Sequence, residues 1–264
     1  MTDSPSASRI RDLFARRSGR ILSVFCTAGF PRLHDTVPVL RELSAAGADL
    51  IEIGMPFSDP IADGPAIQHS NQTAIQNGLT LSVLFEQLRD IRQELQTPLI
   101  LMGYLNPVLQ YGMERFCRDA QAAGIDGLIL PDLPMHEYET RYRALFRQHG
   151  LTAVFLITPQ TPEERIRRID GLSEGFIYAV STDSTTGRTG SFSEAQEAYF
   201  QRIAGMGLRN PVLIGFGIHN AETFAAACRH APGAIVGSAF IKAVEAGRED
   251  LPGTVRSFVA GLRG

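Results

Sequence analysis

Eight short apolar runs recur along the chain: ILSVF at 21–25, LIEIG at 50–54, LILMG at 99–103, GLILP at 127–131, TAVFLI at 152–157, FIYAV at 176–180, PVLIG at 211–215 and GAIVG at 233–237. They are almost continuously hydrophobic instead of alternating with polar residues, which is how strands covered on both faces read. Between them, leucine, alanine and charged residues fall at helical spacing, as at 36–46, 114–123 and 221–229. Gly47, Gly124 and Gly150 follow three of these segments, where a helix-terminating glycine belongs. The interval between the second and third runs is the longest and has room for an extra helix, 67–77 ahead of 81–94. Alternating strand and helix predict a parallel sheet. Eight such units within 264 residues predict a closed α/β (β/α)8, or TIM, barrel. The competitor is an open doubly wound sheet, but its GxGxxG turn after the first strand is missing. No low-complexity run or linker interrupts the chain, so one domain over 1–264 is expected.

The first twenty residues are rich in Ser and Arg, as a transit peptide is, but they contain Asp3 and Asp12. Ile10, Leu13 and Phe14 fall at i, i+3 and i+4 and predict a short amphipathic helix over part of the core, with Ser8 as its N-cap. No targeting segment is expected, and no apolar stretch approaches the roughly 18 residues of a membrane span. With 44% hydrophobic and 20% charged residues, the chain can bury a full core without disulfides. Its 25 Lys+Arg against 28 Asp+Glu leave no basic footprint for nucleic acid. Cys26, Cys117 and Cys228 lie far apart with no CxxC pair and read as reduced thiols of a cytoplasmic protein.

Barrel active sites lie at the C-terminal strand ends, so candidate chemistry is sought there. Glu52 sits between Ile51 and Ile53. If the isoleucines face the helices, the glutamate points into the barrel. A buried carboxyl has a raised pKa and becomes a general acid/base near neutrality. A structural Glu there would need a basic partner, and no strand offers one at an equivalent position. In the following loop, Asp59-Pro60 reads equally as a turn former, while Asp63 precedes Gly64-Pro65 at the barrel mouth. The last two strands end in glycine turns, with Gly215 and Gly217 in IGFGIHN and with Gly237 and Ser238 in VGSAFIK. Such turns, opening onto helix N-termini, suit a phosphorylated ligand. The polar stretch STDSTTGRTGSFSEA at 181–195 has the composition of a lid. The histidines do not cluster, no metal-ligand spacing occurs, and no early or middle strand ends in a Lys for a Schiff base.

IEIGMPFSDPIADGPAIQ, with LILMGYLNPVLQYG, GLILPDLP, GFGI and GSAFIK in order over nearly the whole chain, resembles the tryptophan synthase alpha subunit family. The resemblance implies a lyase of tryptophan biosynthesis. It would cleave indole-3-glycerol phosphate to indole and glyceraldehyde 3-phosphate without a cofactor of its own. The implied partner is the beta subunit, which carries pyridoxal phosphate, in an α2β2 assembly. By the same resemblance Glu52 and Asp63 are the catalytic carboxylates. Tyr178, Thr186, Gly187, Gly217, Gly237 and Ser238 contact substrate, the last four at its phosphate. Phe25, Ile67, Leu101, Ile129, Ile157 and Phe216 fall on the indole lining, and Pro56 and Asp59 on the loop facing the beta subunit. The lid departs from the family's SRxGVTG pattern, with Thr182 for the Arg and Ser184 for a Gly, while Thr186-Gly187 is kept. A stand-alone indole-releasing enzyme and a non-catalytic activator of a beta subunit are the alternatives, and the intact Glu52/Asp63 pair argues against the second.

Overall fold

All eight runs become parallel strands in a computed structural model that describes residues 5–60, 63–181, 192–215 and 217–264. The strands are β1 (Ile21–Thr27), β2 (Leu50–Gly54), β3 (Leu99–Met102), β4 (Gly127–Ile129), β5 (Thr152–Ile157), β6 (Ile177–Val180), β7 (Val212–Gly215) and β8 (Gly233–Val236). Each pairs with the next, and β8 pairs with β1, so the barrel is closed. The helices are α1 (Pro5–Arg16), α2 (Thr36–Ala45), α3 (Pro65–Gln76), α4 (Leu81–Leu88), α5 (Leu105–Tyr111) and α6 (Met113–Ala122). Next, α7 (Met135–Glu137) continues through a π turn, Tyr138–Tyr142, into α8 (Arg143–Gln148). The remainder are α9 (Glu163–Leu172), α10 (Glu194–Gly205), α11 (Ala221–Ala227), α12 (Ser238–Ala246) and α13 (Leu251–Arg263). The glycines after α2, α6 and α8 all take positive φ, of 96°, 72° and 65°, and so end those helices in a conformation closed to most residues. Among the described residues no helix is long and apolar enough to cross a membrane.

Two apolar clusters build the core. The inner one joins Ile21, Leu50, Ile100, Ile129, Val154, Tyr178, Leu213 and Ile235, one from each strand, to Ile10 and Phe176. The outer one packs the other strand faces against the helices. Ile10, 1% exposed, closes the floor of the barrel, where α1 lies across the strand starts. A Cβ at Gly127 would lie 3.3 Å from its Cδ1, and one at Gly175 only 2.9 Å from its Cγ2. The amphipathic helix is therefore as expected, but Ser8 is not its N-cap. The helix already starts at Pro5, a residue suited to a first turn because it has no N–H to leave unpaired.

The extra helix after β2 is α3, which likewise starts two residues earlier than expected, at Pro65 behind Gly64. The following helix stops at Leu88 instead of reaching 94. The chain turns there through a 3-10 segment, Ile91–Gln93, which carries Arg92 to the floor. Its guanidinium donates to the carbonyls of Gly124 at 2.7 Å and Thr97 at 2.7 Å and pairs with Asp126.

Candidate active site

Glu52 stands on the inner face of β2, on the same side as Leu50 and Gly54, while Ile51 and Ile53 join the outer cluster. It is wholly buried. Ser23 of β1 donates its hydroxyl to Glu52 Oε1 at 2.7 Å. Oε2 is buried with no hydrogen-bond partner. Loss of water around the carboxyl outweighs the one hydroxyl that stabilises the anion, and the pKa is pushed up to about 7. At neutral pH both protonation states are therefore populated, which a single group needs to act as acid and then as base.

Tyr178 stands on the inner face of β6 and leans over Gly215 of β7, where any Cβ would collide with its ring and hydroxyl. Burial raises its phenol well above the ordinary value, and the charges of Glu52 and Asp63 add to the rise. Tyr178 thus stands within electrostatic reach of both carboxylates. Phe25, on β1, sits over Gly54 in the same way, with a Cβ at 54 only 2.5 Å from its Cζ. Glycines on neighbouring strands make room for the aromatic side chains that floor the pocket.

Asp63 is held at the rim. Its N–H donates to the Pro60 carbonyl at 2.9 Å, and Gln68 Nε2 donates to the Asp63 carbonyl at 2.9 Å. Tyr104, just after β3, donates its hydroxyl to Oδ2 at 3.3 Å. Its ring packs on Phe57 at 4.9 Å between centroids. Partial burial raises the Asp63 carboxyl, and the Tyr104 bond opposes the rise. Tyr104 is placed because α5 begins directly after it, with the Leu105 N–H donating to Asp132 Oδ1 at 2.9 Å.

After β8 a Cβ at Gly237 would lie 3.6 Å from Phe25 Cβ and 3.8 Å from Ile67 Cδ1, so these three converge. Ser238 is exposed and starts α12, and Gly217 after β7 takes φ 78°, a conformation that any Cβ would strain. Ile129 lies in the inner cluster. Thr186, Gly187 and Phe216, and the lid positions Thr182 and Ser184, lie outside the described residues. Pro56 is half-buried and Asp59 exposed, its carboxylate accepting from the Ser58 hydroxyl at 2.7 Å.

Two expected lining residues are corrected. Leu101 and Ile157 lie in the outer cluster, because Ile100 of β3 and Val154 of β5 point inward and side chains alternate. Their neighbours Met102 and Leu156 pack against the inner cluster instead. Sequence reasoning also passed over Ser23, Gln68 and Tyr104. Ser23 had a visible signal, a lone hydroxyl inside the apolar run ILSVF.

Against this geometry stand the comparisons with known proteins. The family model described as tryptophan synthase alpha chain matches residues 14–260. The chain belongs to the tryptophan synthase alpha chain family. A tryptophan synthase alpha chain from Flavobacterium psychrophilum is 57% identical over 223 residues, covering 84% of this chain and 88% of the relative. Its counterpart from Flavobacterium johnsoniae is 53% identical over 92% of this chain and 95% of its own length. The crystal structure of tryptophan synthase subunit alpha from Legionella pneumophila str. Paris superposes with a TM-score of 0.87 at 32% identity, covering 98% of this chain and 96% of that one. A chain of the tryptophan synthase complex from Pyrococcus furiosus superposes with a TM-score of 0.83 at 34% identity, over 93% and 98% of the two chains.

Proposed function

We infer that this chain carries out the alpha reaction of tryptophan synthase, the cleavage of indole-3-glycerol phosphate to indole and glyceraldehyde 3-phosphate. Family membership supports the reaction. The observation that carries the site is Glu52, a wholly buried carboxyl with one unpartnered oxygen and a pKa pushed up to about 7.

The bond to break joins indole C3 to the glyceryl carbon. Protonated Glu52 delivers its proton to C3, which makes the ring an electron-poor indolenine. The resulting carboxylate then takes the proton of the adjacent glyceryl hydroxyl. That oxygen becomes the aldehyde carbonyl, the carbon–carbon bond breaks, and its electron pair restores the indole ring. The proton count balances, and the glutamate ends protonated as it began. Asp63 accepts the indole N–H and opposes the positive charge that develops on the ring, and this is electrostatic stabilisation at the place where charge appears. Tyr104 and Gln68 hold Asp63 for that role. Phe25, Ile67, Ile129, Met102, Leu156 and Tyr178 surround the ring. The phosphate rests on backbone N–H groups at Gly217, Gly237 and Ser238, the last two at the start of α12. Binding energy from that remote group fixes the reacting carbon against Glu52.

No cofactor of its own enters this scheme, since it consists of two proton transfers and a retro-aldol cleavage whose electron pair the protonated indole ring accepts. The partner is a tryptophan synthase beta chain in an α2β2 assembly within the cytoplasm, facing the loop of Pro56 and Asp59. Indole released from indole-3-glycerol phosphate, measured for the chain alone and with an added beta chain, tests the reading. Release that the beta chain accelerates is expected. No release in either case would overturn the assigned reaction, and equal release would overturn the assigned partnership.

A further inference from the structure

We propose that Ser23 is a positioning residue for Glu52: its hydroxyl holds Oε1 and leaves Oε2 as the oxygen that carries the transferable proton. The inference rests on the reading of Glu52 as the proton carrier and adds to it which oxygen acts and what holds it.

The geometry is simple. β1 and β2 pair in parallel with Phe25 opposite Glu52, and Ser23 lies two residues upstream of Phe25 on the same inner face. Both Ser23 and Glu52 are wholly buried, and the Oγ–Oε1 distance is 2.7 Å. A glutamate side chain free to rotate presents either oxygen to the substrate. With Oε1 held, one orientation is selected, and the proton of the neutral acid resides on Oε2. Oε1 is then the carbonyl oxygen of the acid and still accepts from Ser23. The hydrogen bond therefore survives in both protonation states, and the carboxyl need not reorient between giving a proton and taking one. Such preorganisation lowers the barrier without adding any contact to the substrate.

The other groups around Glu52 do not substitute for this hydroxyl. Cys26 of β1 is pushed up to about 12 by burial and by the nearby carboxylate, so it stays a neutral thiol. Burial holds the Tyr178 phenol of β6 well above its ordinary value, so it stays neutral. Asp63, the second acidic group in reach of Tyr178, accepts from the Tyr104 hydroxyl. Among the described residues nothing else donates to the Glu52 carboxyl.

The test uses the full chain with its beta chain, comparing wild type with Ser23→Ala, Ser23→Thr and Ser23→Cys. The Glu52 carboxyl is titrated without substrate, as the infrared difference from the matching Glu52→Gln protein. Indole release is followed across the same pH range. Ser23→Ala is expected to raise the carboxyl midpoint by about one pH unit, because the anion loses a charge-assisted hydrogen bond. It is expected to lower kcat about tenfold with KM changed less than about twofold. Ser23→Thr, which keeps the hydroxyl, should restore both, and Ser23→Cys, a weaker donor, should fall between and stands in should Ser23→Ala not fold. A midpoint that stays put, or a kcat that stays put while the midpoint moves, overturns the proposal. The functional reading fails separately, through a Glu52→Gln protein that releases indole at the normal rate. In that case the infrared midpoint still reports whether Ser23 holds the carboxyl.

Discussion

Two wholly buried carboxylates, Glu52 near the mouth of the barrel and Asp126 at its floor, have opposite surroundings. Asp126 accepts from Arg9 at 2.9 Å, from the Leu99 N–H at 2.8 Å and from Arg92. Its charge is matched, and it ties α1, the start of β3 and the turn after α4 to the base of the sheet. Glu52 has one serine hydroxyl and a bare oxygen. Burial alone does not separate a structural carboxylate from a reactive one; the number of donors does. Burial raises the Asp126 carboxyl too, but Arg92, Arg9 and the Leu99 N–H oppose the rise and hold the floor in place, whereas the less matched Glu52 is pushed up to about 7 and is kept at the cost of stability.

The sharpest way to break this contrast is Glu52→Gln, which keeps the shape and cannot exchange a proton. Indole release should fall by at least about two orders of magnitude, and glycerol 3-phosphate binding should survive. A turnover assay with a parallel binding titration checks both. Asp126→Asn should do the reverse. It leaves two guanidiniums facing a neutral amide and should cost about 3 kcal/mol of stability by denaturant unfolding, with normal activity per folded molecule. Loss of activity in a stable Asp126→Asn protein would remove the division between floor and mouth.

The pH dependence of stability sharpens the comparison further. The Glu52 carboxyl has an ordinary value of 4.5 and a folded value of about 7. Below 4.5 both folded and unfolded chains hold the proton, and its burial costs nothing extra. As pH rises from 4.5 to about 7 the unfolded chain releases the proton first, so stability falls. The difference of about 2.5 pH units corresponds to about 3 kcal/mol at full ionisation. Unfolding free energies of wild type minus Glu52→Gln, followed from pH 4 to 8, should show that fall. A flat difference would mean that Glu52 is stabilised by something other than Ser23.

The smallest expected effect belongs to Asp63, which stands between the two extremes with one long phenol hydrogen bond. Tyr104→Phe removes it, so the carboxyl rises further and less of the anion faces the indole N–H at a given pH. A loss of about 1 kcal/mol in kcat/KM is expected, with glycerol 3-phosphate affinity unchanged. Equal losses in both would make Tyr104 a support for the loop instead of for Asp63.

The order of elements, the closed parallel barrel and the position of Glu52 between two isoleucines were legible in the chain, because strand and helix periodicity are local properties that one segment carries by itself. The motif strings likewise placed Asp63 and the glycine turns. What the linear pattern did not carry was the phase of the strands. In β3 and β5 both faces are apolar, so LILM and TAVFLI look alike whichever residue points inward, and the pattern does not separate Leu101 from Met102 or Ile157 from Leu156. The partners of the carboxylates were equally out of reach. Ser23 meets Glu52 across 29 residues, Tyr104 meets Asp63 across 41, and Arg9 meets Asp126 across 117. The sequence by itself determined which elements form and that Glu52 points into the barrel, while the buried Asp126 left no mark in it. Only the tertiary structure decided which of those carboxylates is matched and which is left with a bare oxygen, because that depends on donors that chain closure brings together and that no local spacing encodes.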